Sequence, residues 1–413
     1  MVSNWAGNIE FGAARVHRPG SVAEAQEIVA GAERVRVLGS GHSFNRIADT
    51  DGDLLILSGL PEAVEISGDR DGDTARVGPG VRFGELYISL DAAGLALPNT
   101  GSLPHISVAG AAATGTHGSG DTNRNLAAGI IALDLVTATG DLVTLTRDDP
   151  GFPGAVLALG ALGVVTSLTV GSVPSYEIRQ DVYVDMPRAS FDDHLDEILG
   201  TAYSVSAFLD WRGPVVQQVW LKQRTSDDNV VTGPEFFGAP RAAEQVHPVP
   251  GMPPEHTTQQ LGVPGRWYER MPHFRMEFTP SSGDELQSEY LVPREHGLAA
   301  LRALDGIAED LARVVQITEI RTVAADDMWL SPCYRTDLIA FHFTWHPDWA
   351  AVSAVLTAIE DRLAPYNARP HWGKLFHTVP RGLYPRLDDF RALRDRLDPQ
   401  HKFTNDLVAS WLD

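Results

Sequence analysis

The chain of 413 residues has a single cysteine, Cys333, so no disulfide can form within it. That fits a reducing compartment. No apolar run approaches the ~20 residues of a membrane-spanning helix. The opening stretch, Met1 to Glu10, lacks the basic region and apolar core of a signal peptide. Positive charge is scarce as well. Against 54 Asp and Glu stand 33 Lys and Arg, a formal net charge of −21. Such a surface repels nucleic acid and anionic membranes, which excludes both as expected partners. A soluble, cytoplasmic protein acting on a neutral polar substrate is the expectation. Several catalytic templates are missing too. Gly373-Lys374 is followed by Leu375, so there is no Walker loop. No Gly-x-Ser-x-Gly elbow and no His-Glu-x-x-His helix occur, and one cysteine excludes thiolate zinc sites. No metal is expected.

What is present is organised around two small-residue loops. Ser21-Val-Ala-Glu24 has capping-box spacing and predicts a helix to Gly31. The β-branched run Val35 to Leu38 then stops at Gly39-Ser40-Gly41, and His42 follows at once. A strand feeding a turn with almost no side-chain bulk lets backbone N–H groups approach a phosphate. His42 would sit at the mouth of that nest, or serve only as a cap. The loop lacks the third glycine of a Rossmann fingerprint, so nicotinamide binding in that mode is unsupported.

The second loop runs from Leu97 to Gly120, and almost every side chain from Ser107 onward is small. Its Ala-rich centre is helix-forming, which argues against a flexible linker. It reads either as a helix packed tightly on a sheet or as a second wall around an extended ligand. Strands are predicted at Ile130–Ala138 and Leu142–Leu145, joined through Thr139-Gly-Asp141, and at Val164–Val170.

At about Pro174 the texture changes to longer alternating strands: Val215–Leu221, Phe274–Phe278, Leu286–Leu291, Val314–Val323 and Leu338–Trp345. Helices are predicted over Phe191–Leu199, His296–Leu311, Trp349–Leu363 and Leu387–Leu397. This is an α+β pattern with a largely antiparallel sheet. Residues Ser226–Tyr268 read as a long ordered excursion or a lid.

Two of these strands place polar residues on one face. Glu319 and Arg321 are two apart, as are His342 and Thr344, while Phe341, Phe343 and Trp345 line the opposite face. A lined pocket and a solvated sheet face both fit that spacing. Arg369-Pro-His-Trp-Gly-Lys374 adds a fixed backbone and an ammonium, Lys374, able to hold a developing anion.

Taken together, Arg36-Val-Leu-Gly-Ser-Gly-His-Ser-Phe-Asn45, Leu103-Pro-His-Ile-Ser-Val-Ala-Gly110 with Thr114-Gly-Thr-His-Gly118, and His371-Trp-Gly-Lys374 resemble the flavin oxidases of the vanillyl-alcohol oxidase type. The likeness is closest to the alditol-oxidising members. It extends to Asn4-Trp-Ala-Gly-Asn8 and Glu319-Ile-Arg-Thr-Val-Ala324, and so covers nearly the whole chain.

The resemblance implies an α+β, two-domain fold. Residues 1–173 and the tail 381–413 would form an FAD-binding domain of two α+β subdomains. Residues 174–380 would form a cap domain with a large antiparallel sheet flanked by helices. FAD would be attached covalently through His42. Its binding wall would include Val37, Leu38, Gly39, Ser40, Gly41, Ser43, Ser102 and Ser107. Gly110, Ala111, Ala112, Ala113, Thr114, Gly115, His117, Gly118, Val165, Lys374 and Asn405 complete that expected set.

The implied reaction oxidises the terminal primary alcohol of alditols such as xylitol, sorbitol and glycerol to the aldose. Hydride would pass to flavin N5, and O2 would reoxidise the flavin with release of hydrogen peroxide. Ser102, Glu319, Arg321, Thr344 and Lys374 match the family's substrate pocket. Lys374 and Arg321 would have the electrostatic role. Glu319, Ser102 and Thr344 would bond the polyol, and His342 would handle a proton. Gly101 would leave space for O2. A monomer is expected. The alternative is a sugar-1,4-lactone oxidase or dehydrogenase of the same fold.

Overall fold

A computed structural model describes residues 2–61, 63–69 and 72–413. The first strands, Arg15–His17, Val35–Leu38 and Asp53–Ile56, form a parallel three-stranded sheet with Asp53–Ile56 in the middle. Parallel strands need a crossover, and the helix Val22–Gly31 supplies it. Ser21 caps that helix, its Oγ accepting from the Glu24 N–H at 3.2 Å.

A second sheet is antiparallel and five-stranded. Its order is Val64–Asp69, Gly72–Val77, Val164–Gly171, Ile130–Val136, Leu142–Thr146. Helices Phe83–Ala92 and Val108–Thr114 pack into the same core as this sheet. The last two helices, Leu387–Leu397 and Asp406–Leu412, return to that core through Phe390, Leu393, Val408 and Leu412.

Between these parts lies an eight-stranded sheet. Its order is Gly265–Arg266, Glu177–Pro187, Val215–Arg224, Ser204–Leu209, Val315–Val323, Leu338–Trp345, Leu286–Pro293, Arg369–Pro370. Every pairing in it is antiparallel. Alternation gives each strand two faces. Tyr290, Phe341, Phe343 and Trp345 point to one side and pack with Leu301 and Leu304 of Gly297–Asp305 and Leu356 and Ile359 of Trp349–Leu363. The other side carries the polar residues. Register aligns them in a row, with Glu289 opposite His342, His342 opposite Glu319, and Glu319 opposite Phe208.

The α+β architecture with a large antiparallel sheet is the one expected. Three local expectations fail. Phe274–Phe278 is not a strand: apart from a single bridge at Phe274 it runs through turns. The carbonyls of Met276 and Phe278 instead meet His105 Nε2, at 3.1 and 2.9 Å. The helix expected over Phe191–Leu199 is two short ones, Arg188–Asp193 and Leu195–Gly200, broken at His194. The helix expected over His296–Leu311 is likewise split, into Gly297–Asp305 and Ala308–Val314. Among the described residues no helix is long and apolar enough to cross a membrane.

Candidate active site

The glycine loop is held by close packing that only small residues allow. A Cβ on Gly39 would stand 2.5 Å from Ser107 Oγ, and one on Gly110 2.8 Å from the same atom. Ser107 therefore wedges between loop and helix. It is stitched to Ser40 reciprocally: Ser40 N donates to Ser107 Oγ at 3.3 Å, and Ser107 N to Ser40 Oγ at 3.0 Å. Gly41 turns the chain with φ +74°, a conformation suited to glycine.

His42 follows with both ring nitrogens buried and, among the described residues, neither hydrogen-bonded. Burial first, then the nearby His105, pulls its pKa down to about 4, so the ring is neutral. Its face lies on Trp5. The N-terminal segment clamps the loop from outside: Trp5 N donates to Gly41 O at 2.8 Å and Asn4 Nδ2 to Ser43 O at 3.0 Å. On the other side, Asn45 Nδ2 donates to the carbonyls of Trp372 and Lys374, both at 2.8 Å. The glycine loop and the lysine loop thus share one anchor.

The sheet wall centres on Glu289, whose side chain is fully buried. Arg321 Nη2 lies 2.5 Å from Oε1 and Lys374 Nζ 2.6 Å from Oε2. His117 Nε2 is 3.2 Å from Oε1. Burial would raise this carboxyl, but Arg321 and Lys374 overcome it and hold it well below the ordinary range. Lys374 Nζ also lies 2.6 Å from His342 Nδ1. Burial lowers the Lys374 amine, against the pull of Glu289. Burial and Lys374 take His342 down to about 4. His342 Nε2 is left facing Thr344 Oγ1 at 3.3 Å. Glu319 lies beside Arg321, 3.6 Å from its Nε, and 2.8 Å from His273 Nε2. Arg321 Nη1 reaches Ser102 Oγ at 3.4 Å.

Loop and sheet wall enclose one cavity of about 450 Å³. It is lined by Val37 through Ser43, Ser102, Ser107, Gly110, Ala111, Ala113, Thr114, His117 and Val165. Glu319, Arg321, His342, Thr344 and Lys374 line it as well. Four expected cofactor residues are elsewhere. Ala112 is buried in the core. Gly115 ends its helix with φ +68° against Leu157. Gly118 is small because a Cβ would strike Thr100 O at 2.2 Å. Asn405 caps the last helix, its Nδ2 donating to Arg46 O at 2.9 Å and Asp49 O at 2.8 Å. Gly101 does not line the cavity either. A Cβ there would make ordinary contacts with Leu126 and Thr116 at 3.7 Å.

Comparison with known proteins agrees with this geometry. The family described as FAD binding domain matches residues 13–146, and that described as D-arabinono-1,4-lactone oxidase matches residues 283–412. The chain is 50% identical to an alditol oxidase from Streptomyces sp., covering 100% of this chain and 99% of that protein. This chain belongs to the FAD-linked oxidase family that includes alditol oxidase.

A more distant member has the same extent. An L-gulono-1,4-lactone dehydrogenase from Mycobacterium tuberculosis is 30% identical over 99% of this chain and 98% of its own. The fold of cholesterol oxidase from B. sterolicum superposes with a TM-score of 0.79 at 13% identity, covering 100% of this chain and 96% of that one. As in other FAD-linked oxidases, the chain must hold a large dinucleotide, and the cavity residues fit one. The glycine loop and the start of Val108–Thr114 offer backbone N–H groups, and His42 offers two buried, unpartnered nitrogens.

Three residues lining the cavity escaped the sequence reading, Glu289, Gln287 and His273, as did Lys222 behind His273. Gln287 and Glu289 are two apart on Leu286–Pro293, the same signal that marked Glu319 and Arg321. Lys222 is buried behind His273, and burial lowers it to about 7.

Proposed function

We propose that this protein oxidises the terminal primary alcohol of alditols such as xylitol and sorbitol to the aldose. FAD is its cofactor and O2 its acceptor. The observation that carries this reading is the buried cluster of Glu289, Arg321, Lys374, His342 and Glu319 lining the same cavity as His42. Residues 1–173 with 381–413 hold the cofactor, and residues 174–380 supply the substrate wall. His42 carries a covalent link to the flavin. When bound, FAD would supply the hydride acceptor and the route for the electrons to O2, with hydrogen peroxide as the product.

The protein's part is to bind the polyol and move one proton. Glu319, acceptor-only, bonds hydroxyls of the chain, with Ser102 and Thr344 beside it. The reacting hydroxyl gives its proton to His342 Nε2. The same ring passes its Nδ1 proton to Lys374 Nζ, 2.6 Å away. This step requires the form of the pair in which Lys374 has given up its proton, and it returns Lys374 to an ammonium beside Glu289. Charge therefore appears on Lys374 as the alkoxide-like oxygen forms, and Arg321 adds a fixed cation. Removing water from such a site strengthens both effects.

A lactone substrate is the second reading, favoured by the match to the lactone oxidase family over the segment holding Glu289, Glu319, Arg321 and Lys374. Peroxide release from the purified holoenzyme separates the two. Xylitol and sorbitol should outpace L-gulono-1,4-lactone. Faster turnover of the lactone would reverse the assignment.

A further inference from the structure

Lys222 is a basic side chain only 1% exposed, and no carboxylate pairs with it among the described residues. Burying such a group is costly, and an apolar residue of similar volume usually serves stability as well. What Lys222 has instead is a line of hydrogen bonds into the cavity. Its Nζ donates to Met271 O and lies 2.7 Å from His273 Nδ1. His273 Nε2 lies 2.8 Å from Glu319 Oε1. Both His273 and Glu319 line the cavity; Lys222 does not.

The hydrogens along this line have one arrangement. Burial would raise the Glu319 carboxyl, but Arg321 and then His273 depress it, so it is an ionised acceptor. Burial first, then Lys222, takes His273 down to about 4, so its ring is neutral and carries one hydrogen. That hydrogen sits on Nε2, which faces the carboxylate. Nδ1 is then an acceptor, and Lys222 donates to it. Trp220 and Phe208 flank the imidazole with centroids at 5.2 and 5.8 Å, which keeps it from swinging away. Glu319 Oε1 is thereby occupied, while Oε2 takes no hydrogen bond from the described residues. Register sets Glu319 directly opposite His342 on the neighbouring strand. Side chains so paired have Cβ atoms about 5 Å apart, so Glu319 belongs to the reacting end of the site. We propose that Lys222 is a positioning residue for substrate binding that acts only through His273. The pair holds Glu319 Oε1 and leaves Oε2 as a bare acceptor for a polyol hydroxyl beside His342. This rests on the alditol reading above.

The test is a double-mutant cycle on xylitol binding. Flavin reduction is followed anaerobically by stopped flow over a range of xylitol concentrations, which separates the dissociation constant from the limiting rate. Holoenzymes of wild type, Lys222→Met, His273→Phe, the double variant and His273→Gln are compared at matched flavin content. His273→Phe should weaken binding about 10- to 100-fold, the range for losing a hydrogen bond to a charged group. Lys222→Met removes a bond one step further back and should weaken it about three- to tenfold. The double variant should bind xylitol as His273→Phe does, because Lys222 has no other route to the substrate. His273→Gln, whose amide still donates to Glu319, should recover most of the loss. The limiting rate should stay within about threefold of wild type throughout, as for a group that holds the substrate before and during reaction alike. Where Lys222→Met yields no soluble holoenzyme, the contrast between Phe and Gln at position 273 decides. Losses that multiply in the double variant, a loss confined to the limiting rate, or equal losses for Phe and Gln overturn the assignment. A wild type whose flavin neither xylitol nor sorbitol reduces overturns the alditol reading itself and this one with it. Normal reduction in the wild type, with a dissociation constant that no variant moves, overturns this one alone.

Discussion

Trp5 and His42 lie face to face, their ring centroids 5.1 Å apart and their planes 15° from parallel. This contact fixes the plane of an imidazole whose nitrogens have no hydrogen-bond partner among the described residues. His42→Ala should lose covalent flavin and keep its fold, so that acid precipitation leaves a colourless pellet. Trp5→Ala should lower the fraction of flavin that stays with the chain, and Trp5→Phe should restore much of it. Covalent flavin persisting in His42→Ala would assign the link to another residue.

Lys374→Met removes the amine at the end of the proposed proton path. Flavin reduction by xylitol, followed anaerobically by stopped flow, should slow by about 10²–10³, the usual loss for a preorganised charge at a reacting oxygen. An unchanged rate would remove Lys374 from the chemistry.

The proton path requires the Lys374–His342 pair to start one proton short. Flavin reduction should therefore rise with pH, with a midpoint below the ordinary lysine value, because burial lowers Lys374. Glu289 opposes that lowering, since its carboxylate favours the ammonium. Glu289→Gln should then move the midpoint to lower pH. It should also destabilise the protein by about 3–5 kcal/mol, because Arg321 and Lys374 lose their buried counter-charge. A midpoint moving upward would reverse the proposed direction of proton flow.

Acid should destabilise the protein early. His273 and His342 are held at about 4 by burial, so below about 6.5 the unfolded chain takes up protons that the folded one refuses. Stability then falls as pH falls. Glu289 and Glu319, depressed in the fold, add to the loss once pH drops below the ordinary carboxylate range. The melting temperature should begin to fall near pH 6.5 and steepen below about pH 4.5. His273→Gln should flatten the first part of the curve. A melting temperature constant from pH 7 to 5 would contradict this.

How far the site could be read from the chain follows from what strand periodicity carries. Alternation placed Glu319, Arg321, His342 and Thr344 on one face and Phe341, Phe343 and Trp345 on the other, where the sheet has them. It says nothing of which strands are neighbours. Glu289 shows the same signal, yet its importance comes from the register that sets it opposite His342. Lys222 sits on Val215–Arg224, two strands from Glu319, and only tertiary packing of Met271 and His273 brings them together. The aromatic alternation of Phe274–Phe278 misled, because its carbonyls are taken by His105 rather than by a strand. Gly115, Gly118 and Asn405 carry motif letters for packing and capping reasons, which sequence cannot separate from ligand contact.

The most direct test mixes the yellow holoenzyme with xylitol in the absence of O2. The account predicts that the oxidised flavin band bleaches, and that admitting O2 restores it with one hydrogen peroxide formed per flavin. A band that xylitol and sorbitol leave intact, while an aldonolactone bleaches it, would contradict the account.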